Sequence, residues 1–214
     1  GIVTCLSAKD GAEQWRFQTE GEIHSAPTRS GERLFFGSYD RHLYCLDATD
    51  GALVWKLETE GPVHAPPSFY DENVFIAGCD NMLRAVSKQT GKQRWAIEMG
   101  GFAAACPAVF DERLYVAHFG GAVAAYGAKD GARLWEYEPG GEFPFYASCA
   151  VSESLVIAAG RDRKVHCLRR GDGARIWTFE TKGEIDASPV IAGEMVYVAS
   201  KDGSLYGLGL EKGQ

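Results

Sequence analysis

Five tryptophans recur through the chain, Trp15, Trp55, Trp95, Trp135 and Trp177, at spacings of 40, 40, 40 and 42 residues. A strict period of this length excludes most folds. Each copy must be one supersecondary unit that buries its apolar surface only against its neighbours. The residues ahead of each tryptophan keep the same period. Ala8-Lys9-Asp10-Gly11, Ala48-Thr49-Asp50-Gly51, Lys88-Gln89-Thr90-Gly91, Ala128-Lys129-Asp130-Gly131 and Arg170-Gly171-Asp172-Gly173 each end four residues before a tryptophan.

Residues 42–80 show how one copy folds. His42–Asp47 alternates and is rich in strand formers, so it reads as a β-strand. Asp50-Gly51 supplies the positive φ that a short hairpin turn needs, and Leu53–Glu58 is the return strand. After Gly61, Val63–Ser68 reads as a third strand and Val74–Gly78 as a fourth. Pro27, Pro67, Pro107 and Pro189 fall at one position of the third strand, with Cys149 there in the remaining copy. Proline cannot donate to a strand ladder, so the third strand is expected at a sheet edge.

Four-stranded antiparallel units of about 40 residues, each with one protected edge, are the blades of a β-propeller. The expected fold class is therefore all-β, a β-propeller over residues 1–214 as a single domain. A parallel solenoid ranks second, because Asp-Gly hairpins favour antiparallel pairing. Strands of the His42–Asp47 type start at Ile2, His42, Met82, Ala122, Lys164 and Ser204, six times against five for each other type. Five blades is the expected ring. The surplus strand leaves a larger ring, or a fragment of a propeller of seven or eight blades, as the alternative.

The motif of a small residue, Asp or Thr, Gly, and Trp four residues after the Gly resembles the pyrroloquinoline-quinone-type, or tryptophan-docking, propeller repeat. The likeness is to its cofactor-free, BamB-like branch and covers nearly the whole chain. It implies fold more than chemistry. Quinoprotein alcohol and glucose dehydrogenases share the repeat, as do cofactor-free assembly lipoproteins and propeller segments of acyl-activating enzymes and kinases. The dehydrogenases hold a vicinal Cys-Cys pair against the quinone and use inserted loops for Ca²⁺ ligands and a catalytic Asp. Here no two cysteines are adjacent, and repeat length is constant apart from a two-residue insertion near Phe143-Pro144-Phe145. The resemblance, with these departures, implies no cofactor, no metal and no enzyme. It implies a binding or scaffolding module for a protein, peptide or small ligand. The alternatives are a fragment of a quinone-dependent dehydrogenase and a sensor propeller of a larger enzyme or kinase.

Composition narrows the partners. The net charge of −7 and the lack of a basic run make nucleic acid a poor partner. No apolar run approaches the ~18 residues of a membrane helix, so no membrane span is expected. The chain begins at Gly1 in mid-repeat and reads as an excised or processed piece. Of the six cysteines, Cys5, Cys45 and Cys167 share one position with Ala85, Ala125 and Gly207, and Cys106 aligns with Ala26, Pro66, Ser148 and Ser188. They read as small packed residues and not as a disulfide framework, with Cys5, Cys45 and Cys167 expected to be reduced and buried. Free thiols favour a reducing, cytoplasmic compartment, whereas the resemblance implies an extracytoplasmic one. Asp10, Asp50, Asp130 and Asp172 read as hairpin residues rather than Ca²⁺ ligands. The five tryptophans read as structural fillers between blades.

Function is sought where the repeats disagree. The entry to the innermost strand reads His24, His64, Ala104, Tyr146 and Asp186, and the end of the neighbouring strand reads Tyr39, Cys79, Phe119, Arg161 and Lys201. His118, just before Phe119, stands where other copies have Ser38, Gly78, Gly160 and Ser200. Convergent polar and aromatic groups at a concave channel mouth are a default binding site. The ligand-binding candidates are His24, His64, Tyr146, Asp186, Tyr39, Phe119, Arg161 and Lys201. In a closed five-bladed ring Asp186 would neighbour His24. The resulting Asp186–His24–His64 arc has donors that suit Zn²⁺ or Fe²⁺, although side chains from three blades seldom converge to metal distance.

Overall fold

The glycine of each repeated motif lies at positive φ, 75° for Gly11 and Gly51, 70° for Gly91 and 73° for Gly131 and Gly173. Asp10, Asp50, Asp130 and Asp172 accept the N–H two residues on, at 3.2, 2.9, 3.0 and 3.1 Å. Thr90 serves in the remaining copy through its hydroxyl, at 3.4 Å from the Lys92 nitrogen. These carboxylates are thus occupied in closing hairpins.

The computed structural model describes residues 1–141 and 143–210, and contains 21 strands. β1 (Ile2–Leu6) pairs with β2 (Glu13–Gln18). Four complete sheets follow. The first holds β3 (Thr28–Ser30), β4 (Arg33–Gly37), β5 (His42–Asp47) and β6 (Leu53–Glu58). The second holds β7 (Ser68–Tyr70), β8 (Asn73–Ala77), β9 (Met82–Ser87) and β10 (Gln93–Glu98). The third holds β11 (Ala108–Phe110), β12 (Arg113–Ala117), β13 (Val123–Gly127) and β14 (Arg133–Tyr137). The fourth holds β15 (Ala150–Val151), β16 (Leu155–Ala159), β17 (Lys164–Arg169) and β18 (Arg175–Glu180). β19 (Val190–Ala192), β20 (Met195–Ala199) and β21 (Leu205–Gly209) form the last sheet. Strands in each sheet are antiparallel and follow chain order.

The proline-marked strand is an edge, as expected, but it starts later than the sequence suggests. In place of a strand over Val63–Ser68, β7 begins at Ser68, directly after Pro66 and Pro67. Two prolines remove two ladder donors, and the Val63 N–H is committed elsewhere, to the Ser38 carbonyl of the preceding sheet.

The two middle strands of each complete sheet are buried on both faces, whereas the outermost strands alternate between exposed and half-buried. Five apolar clusters result, each joining one sheet to the next. Phe35, Leu43 and Cys45 of the first complete sheet meet Val63, Val74, Ile76 and Val86 of the second, and the pattern repeats along the chain. The tryptophans lock these interfaces. Each indole N–H donates to the backbone carbonyl directly after the third strand of the next sheet: Trp15 to Ala48, Trp55 to Lys88, Trp95 to Ala128, Trp135 to Arg170 and Trp177 to Leu210, at 3.0–3.3 Å. The rings of Trp15, Trp55, Trp95 and Trp135 also lie against the motif glycines Gly51, Gly91, Gly131 and Gly173. A Cβ on Gly91 would stand 2.6 Å from the Trp55 ring, so the motif needs glycine for room as well as for φ.

The sheets do not close into the five-bladed ring expected from the repeat count. Among the described residues no pairing joins β2 to β21, and no apolar cluster joins the last sheet to the first. The surplus strand is resolved by having both copies present, β1 at one end of the series and β21 at the other. Each end presents an uncovered face. Leu205, equivalent to the fully buried Leu43 and Val123, is 72% exposed, and Ile2 and Leu6 are exposed at the other end.

Among the described residues all six cysteines are free. Cys45 and Cys167 are fully buried and Cys149 nearly so, and burial pushes each thiol up to about 12. Cys5 is only half-buried, contrary to expectation. Its two-stranded sheet leaves one edge of β1 without a covering strand.

Candidate functional site

The turn that ends the second strand of each sheet is laced into the linkers on either side of it. Tyr39 N–H donates to the Glu22 carbonyl at 2.8 Å, and the Ser38 carbonyl accepts from Val63 of the next sheet at 3.1 Å. The same pair of bonds recurs through Cys79 to Pro62 and Ala103 to Gly78, then Phe119 to Phe102 and Phe145 to His118, then Arg161 to Pro144 and Ile185 to Gly160. Backbone geometry therefore sets residues 24, 39, 64, 79, 104, 119, 146, 161, 186 and 201 in one line around the inner rim.

Side-chain contacts follow that line. The His24 ring centroid is 4.6 Å from that of Tyr39, and the Tyr39 hydroxyl lies 2.9 Å from His64 Nδ1. His24 and His64 are stacked at 5.7 Å. Further on, the Phe119 ring meets Tyr146 at 4.2 Å, and the Arg161 guanidinium lies 3.7 Å over the Tyr146 ring. Arg161 then donates two bonds to Asp186, both at 2.9 Å, and Lys201 Nζ reaches Asp186 at 2.8 Å and Glu184 at 2.9 Å. All eight candidates thus fall into two contact clusters, His24, Tyr39 and His64 in one and Phe119, Tyr146, Arg161, Asp186 and Lys201 in the other. Between the clusters stand Cys79 and Ala104.

The two clusters differ in charge. Burial, then the neighbouring His24, lowers the His64 pKa, so that ring is neutral at pH 7. The bidentate bond from Arg161 holds the Asp186 carboxyl down at about 2, with Lys201 adding to it. Arg161 and Lys201 are therefore bound within the protein and do not stand as free cations for a ligand. Nor does the Asp186–His24–His64 arc form, because His24 bonds Glu22 at 2.9 Å while Asp186 sits in the other cluster. Among the described residues no group of three His, Cys, Asp or Glu is placed to hold a metal.

His118 proves not to be a rim residue. It is 2% exposed and takes part in a buried turn-locking arrangement. In the other sheets an aspartate locks the same turn. Asp40 accepts from Tyr44, Asp80 from Arg84, Asp162 bonds His166, and Asp202 accepts from Tyr206. In the third complete sheet those two positions are Gly120 and Ala124, and His118 fills the space. Its Nδ1 accepts from the Gly120 N–H at 3.1 Å, so the neutral ring carries its proton on Nε2, which is buried without a partner. Burial lowers the His118 pKa, against the opposing pull of Glu136 and Glu138.

A histidine with a lowered folded pKa contributes stability that is present above its unfolded value of about 6.5 and is lost as pH falls through the folded value. We expect the denaturant midpoint to drop between pH 7.5 and 5.5 more in the wild type than in His118→Ser, which copies Ser38 and Ser200. Equal drops in the two proteins would show that His118 does not titrate in that window.

Three rim residues were not picked out from the sequence: Glu22, Phe102 and Glu184. Phe102 packs on Phe119 at 4.2 Å and is 42% exposed. Their shared position reads Glu22, Pro62, Phe102, Pro144 and Glu184, a disagreement between repeats that could have marked it. A concavity of about 860 Å³ opens on the opposite turn face, lined by Tyr70, Asp111, Lys129, Leu134 and Arg170 among others. Clefts of the same kind open between other neighbouring sheets on that face. It therefore follows from the repeat, and the rim remains the chemically distinctive surface.

A sequence profile of the family described as outer membrane protein assembly factor BamB matches residues 1–142 and 120–214. No curated protein matches the sequence. BamB from Moraxella catarrhalis superposes with a TM-score of 0.85 at 19% identity, over 100% of this chain and 66% of that one. The quinohemoprotein alcohol dehydrogenase ADHIIG from Pseudomonas putida HK5 superposes with a TM-score of 0.76 at 16% identity, over 92% of this chain and 42% of that one. At these identities the likeness is one of fold. The chain spans less than two thirds of either structure.

Proposed function

We propose, since the chain belongs to the family of the outer membrane protein assembly factor BamB, that it is a non-catalytic scaffold that holds a protein partner at its rim. The observation that carries this reading is the contrast between repeat and rim. Tryptophans, hairpin residues and cluster positions recur from sheet to sheet, whereas the laced line runs through imidazole, phenol, thiol, phenyl, guanidinium, carboxylate and ammonium. Positions free to differ while the backbone repeats are where a partner would be read.

The family's described role points to the partner class, the proteins assembled into an outer membrane, and to an extracytoplasmic location. No helix among the described residues is long and apolar enough to cross a membrane. Quinone chemistry does not fit the residues present. All five indoles are docked against backbone carbonyls between sheets, and no two cysteines are adjacent to form the pair a quinone would rest on.

Hydrogen exchange of this chain, alone and with a urea-unfolded outer-membrane β-barrel protein diluted into it, tests the reading. Added protection is expected across 22–24, 38–41, 62–64, 102–104 and 144–146. Protection confined to 111–113, 129–134 and 169–171, on the opposite turn face, would reject it.

A further inference from the structure

We propose that the turn joining β1 to β2 is an empty seat for a tryptophan side chain, and that it docks a strand of this same repeat supplied from outside residues 1–214. The docked tryptophans show what such a seat consists of. Trp15, Trp55, Trp95 and Trp135 each meet three residues at a fixed spacing in the following sheet. The first is an apolar side chain, Leu46, Val86, Tyr126 or Leu168, at most 1% exposed and clustered with the indole. Two residues on is the carbonyl that accepts the indole N–H, at 3.0–3.3 Å. Three further on is the glycine at positive φ, where a Cβ would stand only 2.5–2.9 Å from the ring.

Leu6, Ala8 and Gly11 stand at the same spacing, and their hairpin is already built. Gly11 has a φ of 75°, as Gly51 has. Ser7 N–H donates to the Ala12 carbonyl and Gly11 N–H to the Ser7 carbonyl, both at 2.8 Å, against 2.8 and 2.9 Å for the same bonds around Asp47. Yet the seat is open. Beyond the neighbours of Gly11 in the chain, no atom lies within 4 Å of where its Cβ would stand. Leu6 is 57% exposed, and among the described residues no N–H donates to the Ala8 carbonyl. An apolar side chain, an acceptor and a bare glycine suit an indole, which buries a large ring and must pair its N–H. A second copy of this chain has no indole to offer, because all five are docked within it, Trp177 on the Leu210 carbonyl. The occupant is therefore another polypeptide segment whose strand carries tryptophan in third position, as Gln93–Glu98 carries Trp95. The seat lies at the opposite end of β1 and β2 from the linker bearing His24, and so does not depend on the rim reading.

The probe is acetyl-Gln-Arg-Trp-Ala-Ile-Glu-amide, the sequence of β10, titrated at millimolar concentration into the isotope-labelled chain and followed by amide chemical shifts. Shifts are expected at Leu6, Ala8, Gly11 and Ala12. Replacing the peptide's tryptophan by alanine weakens binding about tenfold or more. A benzothiophene analogue, which keeps the ring and lacks the N–H, weakens it about threefold to tenfold. Gly11→Asn keeps a residue that tolerates positive φ and puts a side chain over the seat, and Leu6→Glu changes an exposed position. Each weakens the peptide about tenfold or more, and unchanged spectra away from 6–12 confirm the fold of both. Shifts confined to Met195–Ala199 and Leu205–Gly209 would mean that the peptide adds to the open edge of β21, and would overturn the seat. So would an alanine peptide that binds equally well, binding that survives Gly11→Asn, or an absence of shifts. Self-association of the chain alone, abolished by Gly11→Asn, would put a second copy in the seat and overturn the proposed occupant. None of these results bears on the rim.

Discussion

Replacing Trp95 by alanine is expected to destabilise the chain by about 3–5 kcal/mol, the range for truncating a large aromatic in a packed interior. Three losses combine. The indole N–H leaves the Ala128 carbonyl without its donor, at 3.2 Å in the wild type. The ring leaves Phe75, 5.9 Å away, and the cluster in which Leu83, Leu114 and Tyr126 are fully buried. Gly131, whose missing Cβ gives the indole its seat, faces a void. Trp15 and Trp177 lock the terminal sheets, where strand partners are fewer, and are expected to cost less. Denaturant melts of the three variants measure this. A loss under about 1 kcal/mol for Trp95→Ala would mean that the indole does not hold the second and third sheets together.

A second large effect is expected from Asp80→Ala, about 3–5 kcal/mol. Asp80 and Arg84 form an ion pair at 2.7 Å with side chains only 4% and 7% exposed. The same carboxylate accepts from the N–H groups of Met82 at 3.2 Å and Glu60 at 3.3 Å. Removing it strands a guanidinium where water does not replace the lost partner. The equivalent Asp202→Ala faces a neutral Tyr206 near the surface, strands no charge, and is expected to cost less than Asp80→Ala. In the double variant Asp80→Ala with Arg84→Met, part of the loss returns, because the uncompensated charge is gone. A double variant no more stable than Asp80→Ala alone would place the cost in the turn backbone instead of in the buried charge.

The fold was legible because its determinants are local and repeated. Asp50-Gly51 announces its hairpin through φ, Trp55 through its spacing to Gly51 and to the other tryptophans, and Pro67 through the donor it lacks. Ring closure was not legible, since it depends on whether β2 or a strand of another kind pairs with β21, and no local signal in Ser204–Gly209 carries that choice. Rim positions were found by disagreement among repeats, which located Tyr39, His64, Tyr146 and Arg161. Disagreement does not reveal direction, however. His118 differs from Ser38 and Gly78 in the same way that Phe119 differs from Tyr39 and Cys79, yet it turns inward because Gly120 and Ala124 vacate the space for it. The linked changes at 118, 120 and 124 were the available clue. Nor could residue types show that Arg161 and Lys201 are already bound to Asp186, which takes the three-dimensional structure.

Which face holds the partner decides whether the rim is the functional surface. The measurement is the dissociation constant for an unfolded outer-membrane β-barrel protein, compared between Tyr39→Ala with Phe102→Ala on the rim and Arg113→Glu with Lys129→Glu on the opposite turn face. All four side chains lie outside the buried clusters, and matched denaturant midpoints establish that each double variant is folded. The rim pair is predicted to weaken binding about tenfold or more, and the opposite pair to leave it within about twofold. Unchanged affinity for the rim pair, with loss in the other, would contradict the account.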